Sequence, residues 1–175
     1  YFVTIRCADS LPRDAVARIA GIHRTLVSID PRSDQFADMQ GRSFATIEKY
    51  LDAGHGACPL RSEQASACVA DELAALADWQ IDVPHYAIMP NHLHAMLVPG
   101  RGCVRSLSAI VKRLKGRSAH GIRLLIGGRG AIWQREWFDR WMRSDAEYRK
   151  CVDYIRNNPV KAGLVARWEE HRWTR

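Results

Sequence analysis

The sequence predicts a small α+β sandwich built on an antiparallel sheet. Two observations carry that expectation. β-branched and aromatic runs stand at 1–6, 83–89 and 92–98, and the segments between them repeat apolar residues at i, i+3, i+4, i+7. A third observation decides between architectures, because strands and helices follow one another without the strict alternation of a parallel sheet. At 175 residues the chain has the size of one ordinary domain, so a single domain over 1–175 is expected. Its 47% hydrophobic and 26% charged residues argue against disorder.

The run YFVTIR at 1–6 reads as a first strand, and ADSLP as its exit and turn. From Pro12, the spacing of Val16, Ile19, Ala20, His23, Leu26 and Val27 predicts an amphipathic helix. The polar link DPRSDQ leads to a second helical stretch ending near Leu51, and DAGHGACPL, dense in breakers, reads as a loop. Ser62 caps a third helix through Ala65, Val69, Leu73 and Leu76, ending around Trp79, with Gln64 close behind the cap. Two strands, 83–89 and 92–98, follow, separated by a Pro-Asn step. Leu107, Ile110, Val111 and Leu114 mark a helix with a basic outer face, broken by the glycines of IGGRGA. A last helix fits 145–157, opened by Ser144 or Asp145 and stopped by Pro159.

No uncharged apolar run is long enough to suggest a membrane span, and YFVTIRCADS lacks the layout of a signal peptide, so a cytoplasmic protein is expected. Cys7, Cys58, Cys68, Cys103 and Cys151 form no C-x-x-C pair and are odd in number, which excludes a disulfide framework or zinc knuckle as the organising device. The net charge of +7 is unevenly spread. Residues 1–100 carry 8 Lys+Arg against 12 Asp+Glu, and 101–175 carry 18 against 7, so −4 is followed by +11. Such a concentration suits a polyanion, because neutralised phosphates release counterions, although a solvated basic face reads the same way.

In a strand, residues i and i+2 share a face, so His92 and His94 present their rings side by side while Leu93 and Ala95 point away. Two imidazoles suit a divalent metal but need further ligands, and hydrogen-bonded strand histidines would look the same. Tyr154 and Asn158, at i and i+4, stack on one helix face. A phenol with an unperturbed pKa of about 10 becomes a nucleophile only when a cation stabilises its anion, and an amide oxygen could complete a His-His-Asn metal set. The alternative makes Tyr154 a core residue and Asn158 a C-terminal cap. In IVKRLKGRSAHG and IWQREWFDRWMR, bases and aromatics interleave, a pattern suited to unpaired nucleic-acid strands.

Taken together and in order, MPNHLHAML, LKGRSAHGI, WQREWFDRWMR and YIRNNPVKAGLV resemble the REP-associated tyrosine transposases, within the single-tyrosine HUH transposases. YFVTIRCADSLP resembles that family's first strand and HRWT its closing segment, so the resemblance spans nearly the whole chain. It implies a ferredoxin-like sandwich, with an antiparallel sheet and helices packed mainly on one face. It also implies His92 and His94 as the HUH metal pair, Tyr154 as nucleophile, Asn158 as a third metal ligand, and Mg²⁺ or Mn²⁺ as cofactor. The implied activity is nicking and rejoining of single-stranded or hairpin DNA through a 5′-phosphotyrosine, by a monomer or homodimer. Lys112, Arg113, Lys115 and Arg117, with Arg135, Arg140 and Arg143, are the expected DNA contacts.

Two other functions compete. A catalytically weak, domesticated hairpin-binding protein would share the fold and the charge. A histidine-triad nucleotide hydrolase would need a third histidine where Met96 stands. No chemistry is assigned by sequence to residues 30–60.

Overall fold

The computed structural model describes residues 1–30, 32–127 and 130–175. Pro31 of the first link, Gly128 and Arg129 of the glycine break, and the side chain of His23 in the first helical stripe lie outside the described residues.

Strand β1 (Phe2–Arg6) is followed by helices α1 (Arg13–Leu26), α2 (Asp34–Asp52) and α3 (Glu63–Ala74). A 3₁₀ turn over Ala75–Trp79 continues α3 to the end expected for it. Strands β2 (Ile81–Asp82), β3 (Tyr86–Met89), β4 (His92–Met96) and β5 (Val98–Pro99) come next. Helix α4 (Leu107–Ile126), strand β6 (Phe138–Arg140) and helix α5 (Asp145–Lys161) complete the order. Four strands form one sheet in the order β3-β4-β1-β6 with every neighbouring pair antiparallel, while β2 and β5 pair separately. With α3 and α4 as crossovers, this is the threading of a ferredoxin-like sheet, and the expected antiparallel α+β sandwich is what forms.

Alternation along the strands sorts the side chains into two layers. Val3, Ile5, Leu93 and Ala95 face α3 and α4, where they join Val69, Leu73, Ile110, Val111 and Leu114 in the larger core. On the opposite face Phe2, Ala87, Met89 and Met96 meet Val152 and Ile155 of α5, with Phe44 of α2 beside them. Helices therefore cover both faces, the two crossovers on one and α5 with part of α2 on the other. Helices α1 and α2 form a hairpin with its own small core of Leu11, Ala15, Ile19, Ile47 and Leu51. Its base is clamped where Asp9 accepts the Ala57 amide at 2.7 Å. Gly56 sits there at φ +94, and a Cβ would stand 2.7 Å from the Asp9 carbonyl oxygen.

Helix ends follow side-chain chemistry. Ser33, Ser62, Ser106 and Ser144 each accept the amide three residues on, worth about 1 kcal/mol apiece. The expectation that Pro159 stops the last helix is corrected, because α5 continues through it to Lys161. Pro159 lies in the final turn, where its missing N–H frees only one carbonyl. The stop is instead Gly163, left-handed at φ +68. The Leu164 amide donates to the Pro159 carbonyl and the Gly163 amide to that of Val160, both at 2.9 Å, which closes the helix end. Strand ends are also shorter than the expected 83–89 and 92–98. The run past Met96 separates into the two-residue pair with β2, and the Pro90-Asn91 turn holds the hairpin between β3 and β4.

Candidate functional site

The pairing of β1 with β4 sets Thr4 opposite His94 and Arg6 opposite His92, so both histidines lie on the face covered by α5 and α2. Their rings stand 4.6 Å apart between centroids, and both are completely buried. The Pro-Asn step orients the first of them. Asn91 donates its amide nitrogen to the His55 carbonyl at 2.9 Å, and its amide oxygen lies 2.8 Å from His92 Nδ1. An amide oxygen only accepts, so Nδ1 carries the proton and His92 Nε2 keeps its lone pair free. His94 Nδ1 is held 2.8 Å from Thr4 Oγ1, and its Nε2 likewise faces into the site.

Helix α5 brings both of its predicted residues to the same place. Tyr154 packs its ring 5.2 Å from that of His94 and 5.8 Å from Phe2. Asn158 is 1% exposed and, among the described residues, neither of its amide atoms has a hydrogen-bond partner; α5 runs on to Lys161 with Ala162 at its end, so Asn158 is not its cap. It lies close enough to His92 to favour the protonated ring, though without a hydrogen bond of normal geometry.

One residue of the site was not foreseen. Glu48, 4% exposed on α2, accepts the Tyr154 hydroxyl on Oε2, and the same oxygen lies 3.5 Å from His94 Nε2. Residues 30–60 thus contribute a carboxylate to the site. The signal was present in the pattern. Phe44, Ile47, Glu48 and Leu51 fall on one stripe of α2, so a carboxylate occupies a core position of an amphipathic helix.

Glu48, His92 and His94 each offer a ligand atom, and these atoms lie within 4.8 Å of one another. The fit to a cation rests on unsatisfied groups. Among the described residues, His92 Nε2, His94 Nε2, Glu48 Oε1 and both amide atoms of Asn158 are buried without hydrogen-bond partners. A buried carboxylate beside unpartnered imidazole nitrogens is costly unless a positive charge balances it, and a divalent ion would do so. The carboxylate also hardens the donor set relative to two imidazoles alone, towards ions that favour oxygen.

Burial, followed by the charge of His94, pushes the His92 pKa well below the ordinary histidine range. The folded state therefore refuses a proton that the unfolded chain accepts below pH about 6.5. Stability from this group is complete above that pH and falls as pH drops through it, by at most about 1.4 kcal/mol per unit. Urea titrations in chelator at pH 7 and pH 5 should show the lower midpoint at pH 5, with the difference reduced in His92→Gln. An equal pH dependence in both proteins would contradict the assignment.

The expected DNA contacts do not form one face. Lys112, Arg113, Lys115 and Arg117 project from α4, on the far side of the sheet from the histidines. Arg113 pairs with Asp78 at 3.3 Å and lies over the Trp79 ring, and Arg117 pairs with Glu72 at 2.8 Å. Lys115 donates to the Arg135 carbonyl at 2.7 Å. Arg140 and Arg143 stand instead at the edge between β6 and α5, on the site side, with Arg140 paired to Glu147 at 2.9 Å. Among the described residues Lys112, Arg135 and Arg143 form no ion pair.

A ferredoxin-like sheet that carries a buried His-x-His pair opposite a helical tyrosine defines a class to which known proteins can be compared. No protein-family model matches the chain. A REP-associated tyrosine transposase of Escherichia coli K12 is 28% identical over 88 residues, covering 50% of each chain. An uncharacterized protein of Haemophilus influenzae is 25% identical over 104 residues, 46% of this chain and 56% of the relative. The chain thus spans about half the length of the curated relatives it matches. Among solved structures, a REP-associated tyrosine transposase bound to a REP hairpin superposes with a TM-score of 0.55 over 99% of this chain and 73% of its own, at 18% identity. The protein is similar to REP-associated tyrosine transposases in sequence over half its length and in fold over nearly all of it. Among the described residues no helix is long and apolar enough to cross a membrane.

Proposed function

We propose that the protein is a metal-dependent DNA strand transferase that nicks and rejoins single-stranded hairpin DNA with Tyr154 as its nucleophile. One observation carries this reading. Three separated segments, 48, 92–94 and 154–158, converge on one cluster that holds a tyrosine hydroxyl, a carboxylate and two free imidazole nitrogens. The E. coli relative's name and the hairpin held by the structural neighbour supply the substrate class.

A divalent cation held by Glu48, His92 and His94, with Asn158 beside them, would neutralise charge on the scissile phosphate; the mixed nitrogen and oxygen donors suit Mn²⁺ better than Mg²⁺. The chain's own groups perform the rest. Asn91 and Thr4 fix the two imidazoles from behind. Glu48 Oε2 takes the Tyr154 hydroxyl proton as the phenolic oxygen bonds to phosphorus, and the bond to the 3′ oxygen breaks with that oxygen taking a proton from water. The product is a 5′-phosphotyrosine and a free 3′-OH. Because the ester keeps the bond's energy, a second 3′-OH can attack it, losing its proton to water while Glu48 returns its own to the departing Tyr154 oxygen.

The burial of the cluster favours a second reading. With His92 and His94 fully covered and Glu48 laid over them from α2, a phosphate reaches the histidine nitrogens only after the α1–α2 hairpin shifts. A protein held in that arrangement would bind hairpins without cutting them. Incubation of hairpin DNA bearing single-stranded flanks with the protein and Mn²⁺, followed by a denaturing gel, separates the two. A covalent adduct supports the transferase, and tight binding without adduct across hairpins from its own genome supports the binding protein.

A further inference from the structure

Beside the histidine pair lies a cavity of about 190 Å³ that the chemistry above does not use. Arg6 and Thr4 of β1 form its floor, next to the strand positions of His92 and His94. Ser43 and Phe44 of α2 line it on one side, and Trp137 and Phe138 on the other. Its polar atoms are unsatisfied. Arg6 is 8% exposed and Ser43 3% exposed, yet among the described residues Arg6 Nη1 and Ser43 Oγ have no hydrogen-bond partner, and Trp137 Nε1, beside Asp139, makes no hydrogen bond of normal geometry. Leaving such donors buried and unpaired is costly, so a ligand that satisfies them starts with an advantage.

We propose that this cavity takes one unpaired base of the DNA strand, a deepening that rests on the DNA reading of the neighbouring site. A cavity of roughly 150 Å³ already accepts benzene, so the volume admits an aromatic ring system of base size. Phe44 and Phe138, 4.4 Å apart between centroids, supply an aromatic wall. Base edges carry both acceptors and N–H donors, and the lining offers both complements. Arg6, Ser43 and Trp137 donate, while the carboxylates of Asp139 and Glu136 at the rim accept. Those two carboxylates argue against a bare phosphate in the cavity. The phosphates of the same nucleotide have a path nearby, because an adjoining groove shares Phe44, Phe138 and Asp139 and is rimmed by Arg32, Arg140 and Arg143. The cavity also lies one side chain from Tyr154, since the Phe44 ring on its wall stands 5.8 Å from that of Tyr154.

Fluorescence anisotropy with labelled single-stranded decamers tests this. The probes are decamers of dT, dC, dA and alternating dG-dT, set against a decamer of abasic deoxyribose phosphates with the same charge. At least one base-bearing decamer should bind about tenfold more tightly than the abasic one. Arg6→Gln should cut that ratio about fivefold or more and leave the abasic affinity within about twofold. Ser43→Leu, which fills the cavity without touching its charge, should cut the ratio as well, and thermal melts establish that each variant is folded. Equal binding of abasic and base-bearing decamers, or a ratio that neither variant moves, overturns the proposal. So does an Arg6→Gln loss that is as large on the abasic decamer, which would place a phosphate in the cavity. Failure here is separable from failure of the transferase reading. Base-dependent binding without adduct sinks only the latter, and adduct formation without base dependence sinks only the former.

Discussion

Tyr154→Phe is expected to lower covalent adduct formation by about a thousandfold or more while hairpin affinity stays within about twofold. The substitution removes one oxygen and leaves the ring, whose contacts with Phe2, Phe44 and His94 hold it in place. The change is therefore specific to the hydroxyl oxygen. It should also carry a modest stability cost, because Glu48 Oε2 loses its donor in a buried setting, a loss of about 1–3 kcal/mol. A denaturing gel reads the adduct, anisotropy reads the binding, and a urea titration reads the cost. Persistence of the adduct in the Phe variant would remove Tyr154 from its role.

The second large effect concerns the metal. His94→Ala should weaken Mn²⁺ binding by about 100-fold or more, as read by electron paramagnetic resonance titration, with metal-dependent adduct formation falling in step. Thr4→Val supplies the graded control. Among the described residues the Thr4 hydroxyl bonds to His94 Nδ1 alone, so losing it should weaken Mn²⁺ binding by about tenfold through misorientation of the ring. A merely structural role for the pair would leave Mn²⁺ affinity unchanged in both variants. His94→Ala also opens space between Phe2 and Tyr154, at a cost of about 2–4 kcal/mol.

The histidines and the helical pair could be read from sequence because each is encoded by spacing within one local element, i and i+2 on β4, i and i+4 on α5. What spacing could not show is how the elements meet. Glu48 joins His94 only because the α1–α2 hairpin folds back over the sheet, a packing fixed by Phe44 against Phe2 and Phe138. A glutamate on an amphipathic helix is read as solvated by default, and only its place on the Phe44-Ile47-Leu51 stripe marks it out. Arg6 was hidden for a similar reason. On YFVTIR it falls at the end of a strand, where a charged residue normally turns outward, but β6 and α2 enclose it.

The basic residues were read as one surface since they cluster in sequence. The fold divides them, because α4 lies on the crossover face of the sheet and the β6–α5 edge on the other. The resulting division assigns Arg140 and Arg143, rather than the α4 row, to the rim nearest Tyr154. Pro159 misled for a different reason. A proline in the last turn removes a single hydrogen bond, and Gly163 supplies the real end of α5.

Mass spectrometry of the adduct, after nuclease and protease digestion, tests the central claim most directly. Protein incubated with Mn²⁺ and hairpin DNA from its own genome should yield a deoxynucleotide joined through its 5′-phosphate to the peptide containing Tyr154. Attachment to any other residue, or the absence of a linked peptide when the hairpin is bound, would contradict it.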